Sequence, residues 1–143
     1  MRRLIIAFLA SLFLISCATV TDYYKNPVEE AAANKDQYAK VIFYNDTNLI
    51  LWPSSSAVGI EIVIDGMRAA RLERRQYIDL YVKKGRHELT LIHWDLFKFT
   101  DNYNIELTDD NYIIELYCRP FSTPYEVKHE PPQDFNKDYR RVY

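Results

Sequence analysis

Only three glycines and two cysteines occur in 143 residues, and each scarcity removes a class of reading. Three glycines cannot furnish a phosphate-cradling loop, and no G-x-S-x-G nucleophile turn is present. There is no Lys/Arg cluster, and the net charge is −2, which argues against a nucleic-acid footprint. The longest apolar run, Leu4 to Ile15, falls short of the ~20 residues that span a bilayer as a helix. No 3.6-residue stripe marks a long amphipathic helix.

Catalytic groups are equally sparse. Of the three histidines, His87 and His93 stand with Asp95 in the one cluster that invites a metal or acid/base reading. Six residues of extended strand separate the two histidines by ~20 Å, so they cannot share an ion within one strand. His93 and Asp95 lie ~7 Å apart but leave the remaining ligands unidentified. His87 shares its strand face with Leu89 and Leu91 and reads as a structural residue at a sheet margin. The expectation is a non-enzymatic chain with no cofactor and no metal.

What is present begins with Met1-Arg2-Arg3, the apolar run Leu4 to Ile15, and Ser16-Cys17. This is the basic, apolar and small-residue order of an export signal. Leu14-Ile15-Ser16-Cys17 resembles the lipobox of bacterial lipoproteins, against the plainer reading of an ordinary signal with an incidental cysteine. The resemblance implies cleavage before Cys17, a diacylglycerol on its thiol and acylation of its new amine, which would hold the protein on a membrane. Ala18 stands where many inner-membrane lipoproteins carry Asp, so the resemblance points to the outer membrane, facing the periplasm. With Cys17 acylated, only Cys118 remains, and the mature domain folds without an internal disulfide. Cys118 ends the alternation Tyr112, Ile114, Leu116 and reads as a small buried hydrophobe; a reactive thiol is the rival reading. Loss of Arg2 and Arg3 leaves 20 acids against two fewer than 18 basic residues, a net of about −4.

After the signal at 1–16, residues 17–37 are polar, Ala-rich and interrupted by Pro27. They read as a lipidated terminus and linker with a short helical turn at Val28 to Ala33. Residues 38–127 alternate with period two between turn-forming clusters, which predicts an all-β domain. Its strands are expected near 39–45, 58–64, 67–72, 77–82, 86–94, 97–107, 112–118 and 125–127. Asp65-Gly66 between alternating segments predicts a tight hairpin. Seven or eight such strands predict an antiparallel β-sandwich, with a barrel as the alternative. Residues 128–143, with Pro131 and Pro132 and mixed charge, read as a flexible C-terminal tail.

The order Ala39 to Tyr44, then Ile60-Glu61-Ile62-Val63-Ile64-Asp65-Gly66, Tyr77-Ile78-Asp79-Leu80 and Lys84-Gly85-Arg86-His87 resembles a bacterial lipoprotein family of unknown function related to PEGA-type repeats. An arginine that family carries after the first strand is replaced near Tyr44-Asn45, and its proline before Gly85 is Lys84. The resemblance implies a small envelope β-sandwich and adds no activity.

Two surfaces are candidates for contacts. Tyr77 and Tyr81 face away from Ile78, Leu80 and Val82, and so could present aromatic rings to an envelope protein partner, or else pack across strands. Trp52 and Trp94 are candidate contacts for a small ligand or glycan. The leading expectation is a membrane-anchored interaction or structural module; a periplasmic ligand binder and an inhibitor of a periplasmic hydrolase are the alternatives.

Overall fold

A computed structural model describes residues 22–48, 59–94 and 97–143, and there the period-two runs become strands. They are β1 (Tyr38–Asn45), β2 (Ile60–Ile64), β3 (Met67–Leu72), β4 (Gln76–Lys83), β5 (Gly85–Trp94), β6 (Lys98–Leu107), β7 (Asn111–Leu116), β8 (Tyr125–Lys128) and β9 (Arg140–Arg141). Two sheets form, of order β8-β7-β1-β4-β9 and β3-β2-β5-β6. The protein is an all-β sandwich.

Local chemistry sets the corners. Asp65 (φ 50°) and Gly66 (φ 78°) take the left-handed backbone that a type I′ turn requires, and β2 pairs antiparallel with β3 across it. Gly85, at φ 134°, lies in a region that other residues enter only with strain. It marks where the chain leaves β4 in one sheet and enters β5 in the other.

The alternation then decides what is inside. Val41, Phe43, Leu80, Val82, Ile114 and Leu116 from one sheet meet Ile60, Ile62, Ile64, Leu89, Leu91 and Leu107 from the other in one cluster. Every one of these side chains is buried. At ~1.5–3 kcal/mol for each buried aliphatic side chain, this layer is the main favourable term. Cys118 packs against its margin, as a small hydrophobe would.

Three expectations are corrected. The sandwich is not wholly antiparallel, because β1 pairs parallel with β7 and β4 parallel with β9. Chain segments that visit the other sheet separate β1 from β7, so both enter their shared sheet from the same end. Residues 22–37 are not a free linker, since Ala31 of the Val28–Ala33 helix is buried and Asn26 bonds to β4.

Residues 128–143 are not a flexible tail. Lys128 ends β8, Phe135–Asp138 form a helical turn, and β9 adds to the edge of β4. Phe135 and Tyr139 are buried against Tyr44, with Ile42, Tyr77 and Ile113 around them. The Tyr44 ring meets Phe135 and Tyr139 edge-on at 5.5 and 5.3 Å, and Tyr77 meets Phe135 at 4.8 Å. Composition missed this packing because the aromatic anchors are spaced among prolines and charges.

The tail therefore serves as a second, small core on the outer face of the five-stranded sheet. Replacing Phe135 with alanine should cost about 3 kcal/mol and lower the urea midpoint. It should also raise binding of a hydrophobic dye to the uncovered Ile42–Tyr77 surface. An unchanged midpoint would show that the segment is not part of the cooperative fold.

Candidate functional site

The two ends of the sandwich differ in chemistry. At one end the segment 22–27 straddles the open edges of both sheets. Arg68 of β3 donates its backbone N–H to the Asp22 carbonyl at 2.9 Å, and the Tyr24 N–H returns to the Arg68 carbonyl at 2.8 Å. Asn26 then treats β4 as a strand partner: its Nδ2 donates to the Asp79 carbonyl at 3.2 Å, and its Oδ1 accepts from the Tyr81 N–H at 2.9 Å. Between these clasps the Tyr24 hydroxyl donates to the Tyr81 carbonyl at 2.6 Å. Backbone groups that an edge would leave open are thus paired from within the chain.

This segment roofs a cleft of about 720 Å³ lined by Tyr23, Tyr24, Lys25, Pro27, Tyr38, Asp65, Met67, Val82, Lys83, His87 and Asp22. His87 ties its floor together, with Nδ1 2.7 Å from Asp65 Oδ2 and Nε2 2.7 Å from the Lys83 carbonyl. Asp65 Oδ1 also accepts the Glu88 N–H at 3.0 Å, so the hairpin turn is held rigid from two sides.

Both buried phenols stay neutral. Burial, with Tyr38 and Asp65 nearby, pushes Tyr24 up to about 12. The hydrogen bond to Glu30, followed by burial, pushes Tyr38 up to about 12. The walls present two amines, two carboxylates and aromatic faces over apolar Met67 and Val82. Such a surface holds a ligand by contact and charge.

At the opposite end, two polar networks pin the connections between the sheets. Asn45 is fully buried; its Nδ2 donates to the Leu72 carbonyl at 3.0 Å and its Oδ1 accepts from Thr47. Thr123 donates its N–H to Asp101 Oδ2 at 2.6 Å and bonds through its hydroxyl to His93 Nδ1. His93 stacks on Phe99, which in turn meets Phe121. Around these networks Trp94, Phe97 and Phe121 are 53%, 72% and 81% exposed. Lys98 Nζ sits 5.7 Å from the centre of the Trp94 ring.

The sequence-derived candidates scatter over this frame. Cys17, Trp52 and Asp95 lie outside the described residues. Trp94 reaches the surface at the far tip and does not line the 720 Å³ cleft. Tyr77 is half-buried, with the Phe135 ring tilted against it at 4.8 Å. Tyr81 contributes to a separate cleft of about 540 Å³ beneath the Val28–Ala33 helix. Part of the aromatic surface expected on this sheet is taken at Tyr77 by the chain's own C-terminal segment.

His87 and His93 occupy opposite ends of β5, His87 bracing a turn and His93 bracing a loop. Sequence reasoning missed the cleft residues Tyr23, Tyr24, Tyr38 and Lys83. The one available signal was the aromatic Tyr24 inside a stretch otherwise polar enough for a linker; it is half-buried, while its neighbour Tyr23 is 70% exposed.

The fold and its ends define a nine-stranded two-sheet β-sandwich, counted over the described residues, with a docked N-terminal segment. The chain matches no protein-family model, no curated protein and no solved structure. Among the described residues no helix is long and apolar enough to cross a membrane.

The raised tyrosines give stability a dependence on alkaline pH. Tyr24 and Tyr44 both stand at about 12 when folded, Tyr44 chiefly through burial, against ~10 in an unfolded chain. Their contribution is complete below pH ~10 and is lost as pH rises from there through 12, because the unfolded phenols ionise first. Urea midpoints should fall across that interval in the wild type and fall less in a Tyr24→Phe/Tyr44→Phe double variant. Parallel curves for the two proteins would remove these phenols as the cause.

Proposed function

We propose that this chain is a lipoprotein, held to the bacterial outer membrane through acylated Cys17 and facing the periplasm. Its sandwich acts there as a non-enzymatic interaction or structural module. The observation that carries the reading is Leu14-Ile15-Ser16-Cys17 placed directly behind Arg2-Arg3 and a short apolar run. The resemblance to the lipoprotein family related to PEGA-type repeats belongs to the same reading, and the all-β sandwich agrees with it.

The partner surface on this reading is the tip carrying Trp94, Phe97 and Phe121, since large exposed aromatic rings gathered in one region are uncommon unless something covers them. A second reading, a glycan binder, draws on the same Trp94 ring, whose open face suits stacking on a sugar.

Mass spectrometry of the mature protein should find an N-terminal peptide beginning at Cys17 and carrying diacylglycerol plus an amide-linked acyl chain. A Cys17→Ser form should remain unprocessed at that position and should leave the lipoprotein fraction. A mature chain beginning elsewhere removes the anchor. For the tip, a photo-crosslinker at Phe121 should capture one discrete envelope protein in cells, and the same group at Glu106, on the polar face of β6, should not. Equal capture from both positions argues against a dedicated surface, and capture of peptidoglycan fragments alone favours the glycan reading.

A further inference from the structure

The direction in which the chain leaves the sandwich orients the whole domain. Residues 22–24 lie parallel to β3 at Arg68, and β3 runs away from the Asp65-Gly66 turn. Followed backwards, the segment therefore heads off the end of the sandwich that holds the 720 Å³ cleft. Cys17 stands five residues before Asp22, a reach of at most ~18 Å even when fully extended. β5 alone, from Gly85 beside the cleft to Trp94 at the tip, spans ten residues, or ~30 Å. The leash is shorter than the body it holds.

We propose that the cleft end is the membrane-apposed face of the domain and that the cleft seats the zwitterionic headgroup of a membrane phospholipid. This rests on the reading of Cys17 as a lipid anchor and goes beyond it by naming the surface and its ligand. The chemistry matches on three counts. Lys25 and Lys83 supply amines for a phosphate; the Lys83 side chain is 65% exposed and its ion pair with Glu30 is long, at 3.9 Å. Asp22 supplies a carboxylate for an ammonium, Asp65, whose oxygens bond His87 and the Glu88 N–H, adds negative charge beside it, and the face of Tyr24 also attracts a cation. Met67 and Val82 give the cleft an apolar part against which the first carbons of a lipid can pack. Two amines balanced by two carboxylates suit a zwitterion better than a polyanion, and tyrosines are favoured at the membrane–water interface.

The test uses the full-length lipidated protein in phosphatidylethanolamine vesicles doped with headgroup-nitroxide lipid. A fluorophore is placed at Asp109→Cys, in the β6–β7 turn at the same end of the sandwich as the cleft, or at Phe121→Cys, at the tip, each in a Cys118→Ser background. Quenching should be at least threefold stronger at position 109. Equal quenching at the two positions, in protein shown by mass spectrometry to carry diacylglycerol, overturns the assigned face and leaves the anchor standing. Absence of diacylglycerol in the same preparation overturns the anchor and the inference together.

For the headgroup itself, a Lys25→Glu/Lys83→Glu variant should lower quenching at position 109 by at least half. Unchanged quenching in that variant overturns the headgroup seat. In a second measurement that does not need the variant to fold, dihexanoyl-phosphatidylethanolamine below its micelle concentration is titrated into full-length Cys17→Ser protein. It should shift the amide resonances of Lys25 and Lys83 saturably and leave those of Phe121 in place, whereas no shift at the cleft overturns the seat.

Discussion

An apolar outer face and open edges on a β-sheet have to be covered, and the contacts that hold the cover down here are noncovalent. The five-stranded sheet turns Ile42, Tyr44, Tyr77 and Ile113 outward, a surface too apolar to leave to water. The chain covers it with its own last residues, through Phe135 and Tyr139. Arg75 holds them in place: its guanidinium bonds to the Tyr139 hydroxyl at 2.7 Å and to Asp46 at 3.0 Å, and the Tyr139 hydroxyl donates to Asp46 at 2.6 Å. Most other features follow from this need for self-coverage.

The N-terminal segment answers the same requirement at the sheet edges. By pairing with Arg68 on one sheet and with Asp79 and Tyr81 on the other, residues 22–26 close a seam that would otherwise invite another strand. Docking also shortens the stretch between Cys17 and the folded body to a few residues. A long spacer would let a tethered domain tumble freely, whereas a short one that exits at a defined end makes the two ends inequivalent. On the lipoprotein reading, the polar and tyrosine-lined cleft then faces the bilayer and the aromatic tip faces the periplasm.

Much of the strand pattern was legible because alternation and turn chemistry are local. Asp65-Gly66 announced its hairpin through a backbone demand that few residue pairs meet, and β4 and β6 showed their wet and dry faces by period two alone. The candidate site was far less legible. Tyr77 was rightly placed on the outer face of β4, yet the ring that packs against it comes from Phe135, far along the chain. His87 read as structural, but its partners, Asp65 and the Lys83 carbonyl, meet it only after two strands in one sheet and a sheet change place them together. The polar composition of 22–37 and 128–143 suggested solvation, although a few anchors in each suffice to dock them.

The amino-acid order alone determined the positions of the strands and the identity of the buried faces, because each depends on neighbours within a few residues. Tertiary structure decided which strands lie side by side, that two of the pairings run parallel, and that residues 22–27 and 128–143 pack against the sheets as cover. The physical reason is that alternation tells a side chain which face to join but carries no information about what will meet it there. Only closing the sandwich brings Phe135 to Tyr77 and Asn26 to β4.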